Sequence, residues 1–133
     1  MKMLLGGFYY KGIDRVQFDA LEFPTENQLL EMLNLLVEKS GIIGLEQVAL
    51  NEFGNNELSL YSENGNYLVM YGTYDEDGDY LVSSLNNSSV KHEMLNVLGE
   101  PFPACSVIDD FEVVKEVFIE FLLTGEPSCK LVN

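Results

Sequence analysis

The side chains that could do covalent chemistry are few: one histidine, His92, and two cysteines, Cys105 and Cys129. A Cys–His nucleophilic pair needs the two groups in contact and a third group to orient the base. Nothing around either cysteine resembles a nucleophile motif, and His92 between Lys91 and Glu93 reads as a solvated helix residue. Zinc wants several Cys or His ligands, and the chain has three such residues in all. Gly6-Gly7 and Gly41…Gly44 lack the spacing and the lysine of a phosphate-binding loop. No catalytic residue, metal or cofactor is therefore assigned. A small thiol enzyme using Cys105 or Cys129 with His92 is the third of three readings.

Carboxylates are the opposite case, with 22 Asp and Glu against 7 Lys and Arg. The densest run is Tyr74-Asp75-Glu76-Asp77-Gly78-Asp79. An EF-hand loop puts glycine sixth and a bidentate glutamate twelfth. Counted from Asp75, Gly78 is fourth and Asn86 twelfth, so a solvated hairpin tip is expected instead. Between Lys39 and Lys91 there is no basic residue, while Glu46, Glu52, Glu57, Glu63, Asp75, Glu76, Asp77 and Asp79 all fall there. Held on a rigid scaffold, such a set makes a focused negative potential. The same acids also suit turns and sheet edges, where charge discourages aggregation.

The net charge of −15 and pI near 4.1 disfavour phosphate binding, so neither nucleic acid nor an anionic membrane is an expected partner. A basic protein is. With 133 residues, the chain is one domain's worth, and Leu, Ile, Val and Phe make up about a third of it, far above the ~20% of disordered chains. Two cysteines make a poor disulfide framework, no apolar run approaches the ~18 residues of a membrane span, and the opening residues lack a signal-peptide core. The expected location is the cytoplasm.

These groups must be positioned by elements readable from the pattern. Met3–Tyr10 reads as a strand or docked terminal segment, and Val16, Phe18 and Ala20 alternate as in a half-buried strand. Thr25 and Gln28 form a capping-box pattern ahead of a helix carrying Leu29, Leu30, Leu33, Leu36 and Val37, with Lys39 in its last turn and Gly41 as its stop. Turn signals at Gly54-Asn55-Asn56, Asn64-Gly65 and Asp77-Gly78 separate four expected strands: Val48–Phe53, Glu57–Ser62, Tyr67–Tyr74 and Asp79–Leu85. Residues 88–99 show helical spacing, and Glu100-Pro101-Phe102-Pro103 reads as irregular because proline lacks a donor. Asp109 and Glu112 box the start of a last helix, with Ile108 stapled to Val113. That helix buries Phe111, Val114, Phe118, Phe121 and Leu122 and ends at Gly125. Helices at both ends of an antiparallel meander predict a single α+β domain over 1–133, both helices on one face of the sheet.

The closing segment, Glu120-Phe121-Leu122-Leu123-Thr124-Gly125-Glu126-Pro127 followed by Ser128-Cys129-Lys130-Leu131-Val132, resembles the end of a bacterial polymorphic-toxin immunity-protein family. That family includes the immunity protein of the double-stranded-DNA cytosine deaminase toxin. Leu58-Ser59-Leu60, Tyr67–Tyr71 and Gly78–Ser83 resemble its central hairpins, and Glu26–Lys39 matches a helix in position. Val132 stands where the family's tail carries tryptophan, in a chain with no Trp.

The resemblance implies an inhibitor that neutralises a nuclease- or deaminase-type toxin by stoichiometric binding, and not an enzyme. It transfers no contact residue. The residues themselves suggest an acidic surface that fills a basic groove, with Asp75, Glu76, Asp77, Asp79, Glu57, Glu63, Tyr74 and Tyr80 as partner-binding residues. Tyr61 and Tyr71 are further aromatic candidates for a desolvated cluster, though each tyrosine also suits cross-strand packing. A protein-interaction or adaptor module without a toxin partner is the alternative reading.

Overall fold

A computed structural model describes residues 1–37, 39–48, 52–86 and 93–132. Strand β1 (Met3–Lys11) turns through Gly12-Ile13 into β2 (Asp14–Gln17), and β3 (Leu21–Glu22) returns to the same edge of β1. Helix α1 (Glu26–Leu35) follows, then a run of strands: β4 (Gly41–Gln47), β5 (Asn56–Glu63), β6 (Asn66–Tyr74) and β7 (Tyr80–Leu85). A separate hairpin, β8 (Met94–Val97) and β9 (Glu100–Pro103), leads to the short β10 (Val107–Ile108), helix α2 (Phe111–Thr124) and the tail strand β11 (Leu131–Val132). Among the described residues the main sheet is antiparallel at every pairing and runs β11-β7-β6-β5-β4-β1-β2, with β10 on β6 and β3 on β1. It is open, and the architecture is α+β.

Strand alternation decides where the core lies. Met3, Leu5, Ile43, Leu45, Leu58, Leu60, Tyr67, Val69 and Tyr71 all point to one face and are buried there. Leu29, Met32 and Leu33 of α1 and Val114, Val117, Phe118 and Phe121 of α2 cover them, so both helices pack on that face. Phe118 and Phe121 are the largest fully buried side chains. Tyr67 meets Phe111 and Tyr71 meets Phe121 edge-on, at 5.0 and 5.5 Å between ring centroids. Tyr71 is thus a core residue and is withdrawn from any partner surface.

The Thr25–Gln28 capping box forms in both directions. At the other end α1 stops earlier than expected: Leu36 is its C-cap, and Lys39 and Gly41 lie beyond the helix. The carbonyls left over there are satisfied by the sheet. Ser62 Oγ lies 2.9 Å from the Leu36 oxygen and 3.1 Å from that of Lys39, and Tyr67 Oη donates to Val37 at 2.8 Å. Gly41 instead opens β4, where a Cβ would overlap the Phe8 carbonyl oxygen of β1. Close approach of two backbones requires this glycine, and helix termination does not.

Three further expectations are corrected. The strand placed at Val48–Phe53 lies one element too late: β4 ends at Gln47, residues 49–51 fall outside the described residues, and Glu52 and Phe53 are bends. Of the strand expected over Val16–Ala20, β2 includes only Val16 and Gln17, with one further backbone bond from Phe18 N–H to the Gly7 oxygen at 2.9 Å. The helical reading of 88–99 is overturned over Met94–Val97, which pairs with Glu100–Pro103; residues 87–92, with His92, lie outside the described residues. The prolines are tolerated for a geometric reason. Ala104 N–H donates to Glu93 O, so the bonded pairs of this antiparallel ladder are 93/104, 95/102 and 97/100. Pro101 and Pro103 occupy the alternate pairs, where no donor is needed. Leu98 and Gly99 make the turn at φ 53° and 82°.

Helix α2 is capped by Asp110, one residue later than expected, its carboxylate accepting from Glu112 N–H at 3.0 Å. Gly125 closes the helix in the left-handed region, as the sequence suggests. Thr124 Oγ1 bonds the Glu120 oxygen at 2.8 Å, and Ser128 is buried, directing the tail back to β7.

Candidate functional site

The face of the sheet opposite the helices is where the unburied chemistry collects. Directly paired residues share a face, so rows can be read across the strands. One row runs Leu4, Glu46, Glu57, Gly72, Val82; the next runs Gly6, Gly44, Ser59, Met70, Ser84. The middle of this face is lined with glycine and serine, so little rises from its floor. Hairpin β8–β9 covers only one end of it, where Phe102 meets Tyr61 edge-on at 6.2 Å.

Glu46 and Glu57 stand side by side across β4 and β5. Ser59 Oγ donates to Glu57 Oε1 at 2.8 Å, and Asn55 Nδ2 donates to Glu46 Oε2 at 3.0 Å. The Glu57 carboxyl lies against Gly44, a place any larger residue would narrow. Burial raises the Glu57 pKa above the ordinary glutamate range, the Ser59 hydrogen bond opposes this, and the neighbouring Glu46 adds to it. Beside the pair, Tyr74 and Tyr80 face each other across β6 and β7 at 5.1 Å, and Phe53 lies 6.4 Å from Tyr74. Tyr80 lies over Gly72, where a Cβ would overlap its hydroxyl. Burial first, then the Glu57 charge, raises the Tyr80 pKa. Glu46, Asn55, Glu57, Tyr74 and Tyr80 together line a shallow hollow of about 370 Å³. A second hollow of about 340 Å³ continues past Glu46 and Glu57 over Gly6, Gly44 and Phe8.

The acidic tip joins this end of the sheet. Asp75 is half-buried and its Oδ1 ties the turn together, accepting from the backbone N–H groups of Asp77 and Asp79, both at 2.9 Å. Glu76, Asp77 and Asp79 are exposed, and Gly78 packs close to the Phe53 ring. The structure therefore brings Glu57, Tyr74, Tyr80, Glu76, Asp77 and Asp79 to one end. It separates Glu63, which closes β5 at the opposite end beside Ser40, Tyr10 and Leu98. Glu46, Asn55 and Ser59 were not among the expected contacts. The alternation Ile43, Gly44, Leu45, Glu46 across Gly41–Gln47 carried the signal for Glu46.

Chemically, two carboxyl groups backed by an amide, a hydroxyl and tyrosine rings suit a guanidinium or ammonium group, which pairs with carboxylates and stacks on aromatic faces. Among the described residues, no three His, Cys, Asp or Glu side chains converge on a metal position. Both cysteines are free thiols, Cys105 half-buried and Cys129 exposed.

Fold and site define an α+β protein with a helix-backed sheet and an acidic, aromatic open face. The chain belongs to a family of unknown function, DUF6911, whose model matches residues 2–131. It is similar in structure to a hypothetical protein from Neisseria gonorrhoeae, with a TM-score of 0.81 and 25% sequence identity over 98% of this chain and 93% of that one. No curated protein matches the sequence. Among the described residues no helix is long and apolar enough to cross a membrane.

Proposed function

We propose that this chain is a binding protein for a basic partner, and specifically a cytoplasmic immunity protein that neutralises a cognate bacterial toxin by occupying its cationic surface. One observation carries the binding reading: carboxylates spread over Glu46, Glu57 and the 75–79 turn meet at one end of an open sheet face, beside Tyr74 and Tyr80. The step from basic partner to toxin rests on the likeness of Glu120–Val132 to the tail of immunity proteins. A toxin that handles nucleic acid needs a basic groove, and rigidly held carboxylates compete for it where phosphates would lie. Long-range attraction would speed the encounter, and the half-buried Tyr and Glu groups would slow release.

The test is co-expression with the product of the neighbouring open reading frame, followed by binding kinetics. The wild-type chain should protect cells and form a one-to-one complex. Converting Glu57, Glu76, Asp77 and Asp79 to Gln or Asn should lower the association rate at low salt about tenfold or more and flatten its salt dependence. A complex without protection would return the chain to the adaptor reading. Unchanged on-rates and salt slopes would remove the acidic end from the interface.

A further inference from the structure

We infer that the free edge of β7 is a docking rail, on which a basic partner adds an extended segment as a further strand of the sheet. β11 pairs with β7 only at Leu85 and Ser84. Among the described residues, nothing pairs with the outer side of Tyr80–Val82. Asp75 N–H donates to Asp79 O at the base of the hairpin, which fixes the alternation of the β6–β7 ladder. Pairs 73/81 and 71/83 are then the bonded ones, so Leu81 and Ser83 direct their backbone groups inward to β6. Tyr80 and Val82 direct theirs outward, presenting two N–H and two C=O groups at strand spacing.

The side chains agree with an uncovered margin. Tyr80, Leu81 and Val82 are 54%, 48% and 47% exposed. Because successive side chains point to opposite faces, the margin is bare on both. Proteins normally blunt such an edge with charge, proline or a bulge. The opposite edge of this sheet is treated so: β2 carries Asp14 and Arg15, with the guanidinium stacked 3.7 Å over Phe8. Tyr80-Leu81-Val82-Ser83-Ser84-Leu85 has no charge and no proline. An apolar, hydrogen-bond-ready edge left open is the arrangement used for strand addition, in which the main chain supplies affinity and alternate side chains supply selectivity.

Charge chooses the occupant. The exposed Glu76, Asp77 and Asp79 adjoin the Tyr80 end of the rail, and Tyr80 also walls the hollow containing Glu46 and Glu57. A second copy, itself at −15, is repelled, whereas a strand bearing Lys or Arg on alternate positions is drawn in and its open-face side chains run toward those carboxylates. This inference rests on the basic-partner reading above and adds the manner of attachment.

Amide hydrogen exchange read by NMR tests it, with a soluble peptide of alternating Lys and Thr as the probe and an alternating Glu–Thr peptide as control. In the free protein Leu81 and Ser83 amides should be protected and those of Tyr80 and Val82 should exchange freely. The Lys–Thr peptide should slow the latter two at least about tenfold, and the Glu–Thr peptide should not. Val82→Pro removes an outward donor without touching the β6–β7 ladder and should weaken peptide binding about tenfold. Val82→Lys keeps the backbone intact and should weaken it through like charge, so the inference stays testable if the proline variant misfolds. Tyr80 and Val82 amides that stay fast with the peptide bound elsewhere would overturn the inference. Equal protection by the Glu–Thr peptide would overturn it too, as would protection that grows with the protein's own concentration. A toxin neutralised as well by Val82→Lys as by the wild type would defeat the rail and leave the immunity reading standing. A wild-type chain that protects the rail with peptide yet neutralises nothing would do the reverse.

Discussion

Glu57 is held by a conflict that a pH titration can expose. Burial and Glu46 oppose its charge, and the Ser59 hydroxyl favours it, with burial the largest effect. Its pKa is therefore higher folded than unfolded, and the folded chain binds more protons in the interval between the two. The contribution of Glu57 to stability is then greatest below the ordinary glutamate range and falls as pH rises through the folded value. Glu57→Gln keeps an acceptor for Ser59 and removes the charge. It should raise the melting temperature at neutral pH, with the gain shrinking toward zero as pH falls below the ordinary glutamate value of about 4.3. Thermal melts of both proteins from acid to neutral pH check this, and parallel curves would mean Glu57 is solvated as freely as an ordinary surface acid. Two strand glycines, Gly6 on the open face and Gly41 on the covered one, give a companion test. A Cβ at Gly6 meets nothing within 4 Å, so Gly6→Ala should be neutral or stabilise by about 0.5–1 kcal/mol. Gly41→Ala drives a methyl into a β1 carbonyl and should cost about 3 kcal/mol or more by urea denaturation.

At the scale of elements, the caps show how far sequence reading goes. The Thr25 box was legible because donor and acceptor lie three residues apart in the chain. The cap expected at Asp109 falls one residue early, because two like residues stand side by side and the structure uses Asp110. Asp110→Ala should therefore cost about 1 kcal/mol and Asp109→Ala far less, a difference readable in chemical denaturation. The hairpins ending in Asn64-Gly65 and Asp77-Gly78 were equally legible, since the turn residues announce themselves. β4 was not: Gly41 after a lysine reads as a helix stop, and its true role, close passage of β1, lies more than thirty residues away in sequence. Pro101 and Pro103 misled for a similar reason. Their places in the ladder depend on a pairing parity that no local pattern carries. The candidate site was half-readable on the same grounds. The acids and tyrosines near 74–80 are contiguous in the chain, whereas Glu46 joins Glu57 only through the register of β4 on β5, and that register also sends Glu63 to the far end.

Across the whole molecule, charge is the property that most separates this chain from an average domain, and its effect on stability has a definite sign. Among the described residues three ion pairs form, Lys2–Glu22, Lys115–Glu112 and Lys130–Glu116, every one of them at the surface. Such pairs contribute about 0–1 kcal/mol each and are weakened by salt. Against them stands the mutual repulsion of a −15 surface, in which the stretch from Glu46 to Asp79 holds eight acids and no base. Screening reduces both, but repulsion has many more partners, so salt should stabilise the fold on balance. Between about 0.01 and 0.5 M NaCl, where the screening length shrinks from about 30 Å to under 8 Å, the melting temperature should rise by several degrees. The same salt should slow association with a basic partner. Opposite responses of folding and binding to one ion are what a surface built for attraction at the expense of self-repulsion must show. A melting temperature that falls with NaCl would mean that local ion pairs outweigh the global field and that the acidic end is electrostatically ordinary.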